Sequence, residues 1–161
     1  EVLLDSAIAV GQKTGLAAPY YLARAQFFDR KGEYRKALPD YNQYDSLTHT
    51  VDPTFFYARY KCETKLRMWQ QALLDIARTC YLAPKEPTYF AEWASLDLRV
   101  KRIDEGISAA KACINLAPEY ADGYLLLGLL QREKGLKQES IENLKKAQEL
   151  GDTRAEEYLK Q

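Results

Sequence analysis

The stretch Tyr20-Tyr21-Leu22-Ala23-Arg24-Ala25-Gln26-Phe27-Phe28, followed by Arg30-Lys31-Gly32-Glu33, decides the fold. Its apolar residues recur at three- and four-residue spacing, as on one face of a helix, and the charged, glycine-bearing run then breaks that helix. A second periodic segment follows over about 34–47. Sliding the chain against itself by 34 or 35 residues finds the same helix–break–helix arrangement three more times. Tyr21, Phe56, Phe90 and Tyr124 form an aromatic column, and Phe27, Cys62, Leu96 and Leu130 a second apolar one. Ala37, Ala72, Gly106 and Ser140 are all small, Leu38, Leu73, Ile107 and Ile141 all aliphatic, and Leu47, Leu82, Leu116 and Leu150 leucine throughout. Five columns holding one register over four units establish a repeat.

The expected units run over 18–52, 53–86, 87–120 and 121–151, within one domain spanning 1–161. Breaks between paired helices recur at Leu66-Arg67, Lys101-Arg102 and Gly135-Leu136, while Pro53, Pro84, Pro87 and Pro118 mark the turns between units. Asp52 before Pro53 reads as a helix cap followed by a first-turn proline. The extra residue of the first unit falls within 48–52, which makes His49 an exposed loop residue. A lone helix of this length is marginal in water, and a hairpin still leaves outer apolar faces open, so such units stack in one dimension. Ala25, Ala94 and Gly128 offer a small site for close helix approach, whereas Tyr60 in that slot predicts a splayed or shifted second hairpin. The segment 1–17 reads as the second helix of a partial unit, and 152–161 as a capping helix begun by Asp152. We therefore expect a finished C-terminal end and a parent protein that continues upstream.

Composition excludes more than it proposes. With 23 basic and 23 acidic residues the net charge is zero, which argues against a nucleic-acid binder. The longest uncharged apolar stretch, 123–130, is too short to span a bilayer, so no membrane insertion is expected. Cys62, Cys80 and Cys113 lack metal-ligand spacing and read as small buried hydrophobes, so neither a metal nor another cofactor is expected; free thiols favour a reducing compartment, with export left open. One His, no glycine-rich phosphate loop and no Gly-x-Ser-x-Gly elbow argue against an enzyme. Asp104 and Glu105 sit where first-turn acids favour the helix dipole.

The repeat resembles the tetratricopeptide repeat family, through Tyr124, Leu127, Gly128 and Ala147 in the fourth unit and Ala72, Ala94, Pro84 and Pro118 in the second and third. Tyr44, Thr79 and Asp152 depart from its pattern. The resemblance implies an all-α fold, a right-handed α–α superhelix (solenoid) of about four hairpins. It also implies a non-catalytic scaffold that binds a peptide or partner helix in a concave groove lined by the first helix of each unit. The candidate groove residues are Gln26, Tyr57, Lys61, Ser95, Arg99, Leu125, Leu129 and Arg132. Leu22, Gln26, Ala91 and Ser95 stand where the family's carboxylate clamp would place Lys, Asn and later cations, so a chaperone C-terminal tail is not the expected ligand. A peptide with an acidic or aromatic middle and an apolar end fits better; Leu125 and Leu129 could equally be core beneath the final helix. Two alternatives remain. One is a homodimer through the open N-terminal helix, where Leu3, Ala7 and Val10 lack a cover. The other, less favoured, is an RNA-binding helical repeat, which would need Lys61 and Arg99 to recur in register.

Overall fold

A computed structural model describes residues 1–160. It contains ten helices and, among the described residues, no strand: α1 (Val2–Thr14), α2 (Ala18–Arg30), α3 (Tyr34–Thr48), α4 (Pro53–Lys65), α5 (Trp69–Leu82), α6 (Pro87–Arg99), α7 (Ile103–Leu116), α8 (Ala121–Lys134), α9 (Lys137–Glu149) and α10 (Arg154–Leu159). Each helical segment expected from the repeat is present. The N-terminal helix reaches Thr14, past the apolar run at 1–10, and ends where Gly15 turns left-handed at φ 76°.

The breaks between paired helices share one backbone solution. Gly32, Arg67, Lys101 and Gly135 adopt φ of 73°, 59°, 63° and 85°, and they lie 35, 34 and 34 residues apart. Directly after each, the N–H of Glu33, Met68, Arg102 and Leu136 donates to the carbonyl of Phe28, Glu63, Asp97 and Gln131, each at 2.9 Å. These bonds satisfy carbonyls that the end of a helix would otherwise orphan. Glycine adopts this conformation without strain; Arg67 and Lys101 adopt it at a cost. At the start of α4 the expected cap is present, with Asp52 Oδ1 accepting from Thr54 N–H at 2.8 Å ahead of Pro53. His49 is exposed and left-handed at the end of α3.

The chain divides into two compact units, Glu1–Asp75 and Ile76–Gln161, with the division inside α5. In the first, α2 packs on α3 and α1 on α2. Its interior is aromatic: Tyr41 and Phe55 meet edge-on at 5.7 Å, Phe55 and Phe56 at 5.3 Å, and Phe56 is fully buried. In the second, α6 packs on α7, α8 on α9, and α10 closes on α9. Its interior is aliphatic and small, with Ala94, Ala110 and Leu130 fully buried. A Cβ on Gly128 would lie 2.8 Å from Leu144 Cγ, so only glycine allows that approach. Ser140 Oγ donates to the Gly128 carbonyl at 2.7 Å across the same contact.

Repetition and burial do not coincide everywhere. Leu47 and Leu116 of the leucine column are 51% and 40% exposed, and Ile141 of the aliphatic column 41%.

Candidate functional site

The first-helix residues of the first unit fall on two faces. Arg24 on α2 donates from Nε and Nη2 to both oxygens of Asp40, each at 2.7 Å, and from Nη1 to Asp5 at 2.5 Å. Arg59 on α4 uses the same atoms in the same way: Nε and Nη2 to Asp75 at 2.6 and 2.9 Å, and Nη1 to Asp45 at 2.9 Å. Both guanidinium groups are held above their ordinary pKa, Arg24 chiefly by the Asp40 bond and Arg59 by its Asp75 and Asp45 pairing, which outweighs burial. These arginines therefore belong to the packing.

Of the candidate groove residues here, the structure brings Tyr57 and Lys61 together. One helical turn apart on α4, they place the ammonium 5.0 Å from the ring centroid, while the ring stacks on buried Tyr60 at 5.8 Å. Lys61 is exposed and Tyr57 half-buried. Gln26 is exposed on α2.

In the second unit Ser95 is half-buried and Arg99 exposed on α6. The α8 residues are otherwise placed than a groove requires. Leu125 is 3% exposed, packed with Leu144, Ala147 and Ala155, and Leu129 lies half-buried against that cluster. Arg132 donates to the Tyr158 carbonyl and stands 5.6 Å over the Tyr158 ring. Leu125 is thus covered core rather than groove lining, and Arg132 ties down the C-terminal segment. The cause is α10, begun by Asp152, whose carboxylate accepts from Arg154 N–H at 3.0 Å.

Two buried carboxylates occupy equivalent slots. Glu63 and Asp97, 34 residues apart, are 4% and 0% exposed, and neither Asp97 oxygen has a hydrogen-bond partner among the described residues. Burial pushes Glu63 up to about 8 and Asp97 to about 6, with Asp75 adding to the first and Arg102, 3.7 Å away, opposing the second. Burial likewise raises the Cys62, Cys80 and Cys113 thiols to about 12, 12 and 11, so they remain protonated.

Sequence reasoning missed a basic recess at the turn edge of the first unit, about 560 Å³, lined by Arg35, Lys65, Leu66, Arg67 and Met68. Its signal was the cationic composition of the turns. Among the described residues, no three His, Cys, Asp or Glu could hold a metal ion, and no helix is long and apolar enough to cross a membrane.

Residues 121–150 match the tetratricopeptide repeat family. The fold is similar to that of YrrB, described as a tetratricopeptide-repeat protein with an unusual peptide-binding site (TM-score 0.83, 21% identity, 98% of this chain and 83% of that one). It is also similar to MamA 41-end from Desulfovibrio magneticus RS-1 (TM-score 0.79, 22% identity, 88% and 81%). The first tetratricopeptide repeat domain of Spaghetti (RPAP3), bound to the HSP90 peptide SRMEEVD, matches with TM-score 0.64 and 16% identity over 67% and 87%. No curated protein matches the sequence.

Proposed function

We propose that this chain, a tetratricopeptide-repeat solenoid, is a non-catalytic interaction scaffold that holds a peptide or partner helix against the first helices of its hairpins. Repeats of the type matched at 121–150 are protein-interaction modules, and some similar folds bind peptides. The observation that carries the reading is the Tyr57–Lys61 pair: an ammonium poised over a half-buried ring. Tyrosine fixes little entropy on binding and contributes a large contact area, and the lysine selects an acidic neighbour in the ligand. Leu22, half-buried, and Ala91, 5% exposed, supply no cation for a terminal carboxylate, so the ligand differs in kind from an acidic C-terminal tail.

A pull-down from source-cell lysate, comparing wild type with a Tyr57→Ala, Lys61→Glu variant of unchanged helicity, tests this. Partners captured by the wild type and lost by the variant identify the ligand. Equal capture by both moves the site off α4 and overturns the assignment. The second reading, self-association through α1, draws on Leu3 and Val10, 87% and 62% exposed, and light scattering over a concentration series tests it.

A further inference from the structure

The hairpin connectors of both units carry cations and treat them differently. In the second unit acids neutralise them: Lys101 pairs with Glu133 at 2.5 Å, Lys134 with Asp104 at 2.6 Å and Arg102 with Glu105 at 3.0 Å. In the first unit two of those acid slots are reversed in sign. Arg35 stands 69 residues before Asp104 and Lys65 stands 68 before Glu133, two repeat steps in each case. Together with Arg67 they line the recess of about 560 Å³ over half-buried Leu66 and Met68. All three are exposed, and none forms an ion pair among the described residues. Glu33, the acid at the neighbouring turn, is taken by Lys36 at 2.7 Å. The repeat therefore accepts carboxylates at these slots, whereas here like charges repel one another in one recess. Arg67 adds to that cost by taking φ 59° at a joint where Gly32 and Gly135 are unstrained. An anion from outside satisfies such an arrangement.

The recess is also continuous with the Tyr57–Lys61 pair. Tyr57, Lys61 and Lys65 lie at four-residue intervals on one face of α4, which ends at Lys65. From Tyr57 to Lys65 the helix rises about 12 Å, a distance an extended peptide covers in about four residues. We infer, resting on the reading of α4 above, that the recess receives an acidic run of the bound protein segment, about four residues beyond its aromatic contact at Tyr57. Lys61 meets an acid between the two. The arginines offer forked donors to carboxylates, and an internal run of acids needs no chain terminus. A nucleic acid fits less well: the Arg35 slot is followed by Gln70 and Asp104 in the next hairpins, so the cations form one recess and not a stripe.

The probe is a fluorescein-labelled, C-terminally amidated peptide, Phe-Ser-Glu-Ser-Glu-Glu-Glu, titrated against the intact protein and read by anisotropy. Saturable binding is expected, weakened about tenfold when the last three glutamates become glutamines. The Arg35→Asp, Lys65→Glu variant carries the second unit's acids at exposed positions and should keep the wild-type Tm. It should bind the first peptide about tenfold more weakly and respond little to the glutamine change. No saturation at millimolar peptide overturns the inference, as does equal binding of the two peptides to wild type. Tyr57→Ala separates the inference from the reading beneath it. Binding lost on Tyr57→Ala but indifferent to the recess variant keeps the site on α4 and overturns the recess. Binding lost on the recess variant but indifferent to Tyr57→Ala upholds the recess as the acidic subsite and overturns the contact at Tyr57. A single-stranded oligonucleotide held more tightly than the peptide, and released by the recess variant, would assign the recess to phosphates and overturn the choice of a protein ligand.

Discussion

The two units close the same hairpin with different chemistry. In the first, the slots facing each other across the helix pair hold Arg24 with Asp40 and Arg59 with Asp75, set among edge-on aromatic rings. In the second, the corresponding slots hold Trp93 with Ala109, and Leu127 with Asn143. Trp93 packs on the Ala94, Ala109 and Leu130 cluster, where the first unit would have an ion pair. The repeat therefore specifies a distance of approach and a direction, and either a bidentate salt bridge or apolar contact can meet it. What differs is tolerance. A buried ion pair fails badly when half of it is removed, and a small-residue contact fails when anything is added.

The largest expected effect breaks the first kind of closure. Arg59→Ala leaves the Asp75 side chain, 7% exposed, without its counter-charge and should cost about 3–5 kcal/mol in urea denaturation. Arg59→Met combined with Asp75→Leu should recover to within about 1 kcal/mol of wild type. If the double variant stays as unstable as the single, the pair supplies more than mutual neutralisation. Breaking the second kind needs only one methyl: Gly128→Ala should destabilise by about 1–3 kcal/mol by the same assay, because its Cβ has no room beside Leu144. Stability unchanged there would mean that α8 and α9 separate freely.

The smallest effect sharpens the comparison through pH. Asp97 and Glu63 hold their protons up to about 6 and about 8 when folded, against ordinary values of 3.8 and 4.5. Between those limits these two groups bind more protons in the folded state than in the unfolded one, so their contribution to stability is full below about pH 4 and is lost as pH rises to about 8. Arg102 and Glu105 are the charged groups that act on Asp97, and Arg59 and Asp75 those that act on Glu63. Asp97→Asn should raise stability at pH 8 by on the order of 1 kcal/mol, seen as a higher Tm, and leave the pH 4 value nearly unchanged. A wild-type Tm that climbs steadily from pH 4 to 8 would contradict this.

The fold was legible because a repeat writes its contacts several times over. The aromatic column from Tyr21 to Tyr124, the breaks at Arg67 and Lys101, and the Asp52 cap each rest on chemistry local in sequence. The arginine–aspartate clips were not legible. They join residues sixteen apart across a turn, and they occur in two hairpins only, so no column displays them. Burial of Leu125 was equally hidden, because it depends on where a six-residue helix docks rather than on the period of α8. The leucine column shows the converse limit: Leu47 keeps its identity and is half exposed, so an unvarying residue did not mark the core. Of the candidate groove, the side chains paired on one helix, Tyr57 and Lys61, were within reach of helical spacing.

The left-handed turns at Gly32, Arg67, Lys101 and Gly135 carry one more implication. Each joint asks for a backbone angle and for backbone hydrogen bonds, the recurring 2.9 Å bond among them, and for no particular side chain. The joint is therefore a standard coupling inside each hairpin, and helix pairs of quite different interior are folded back on themselves by the same connector. It also frees the connector residue itself. At Arg67 and Lys101 the molecule accepts a strained angle in order to display a cation on an outer corner, a position that can change its chemistry without disturbing the fold that presents it.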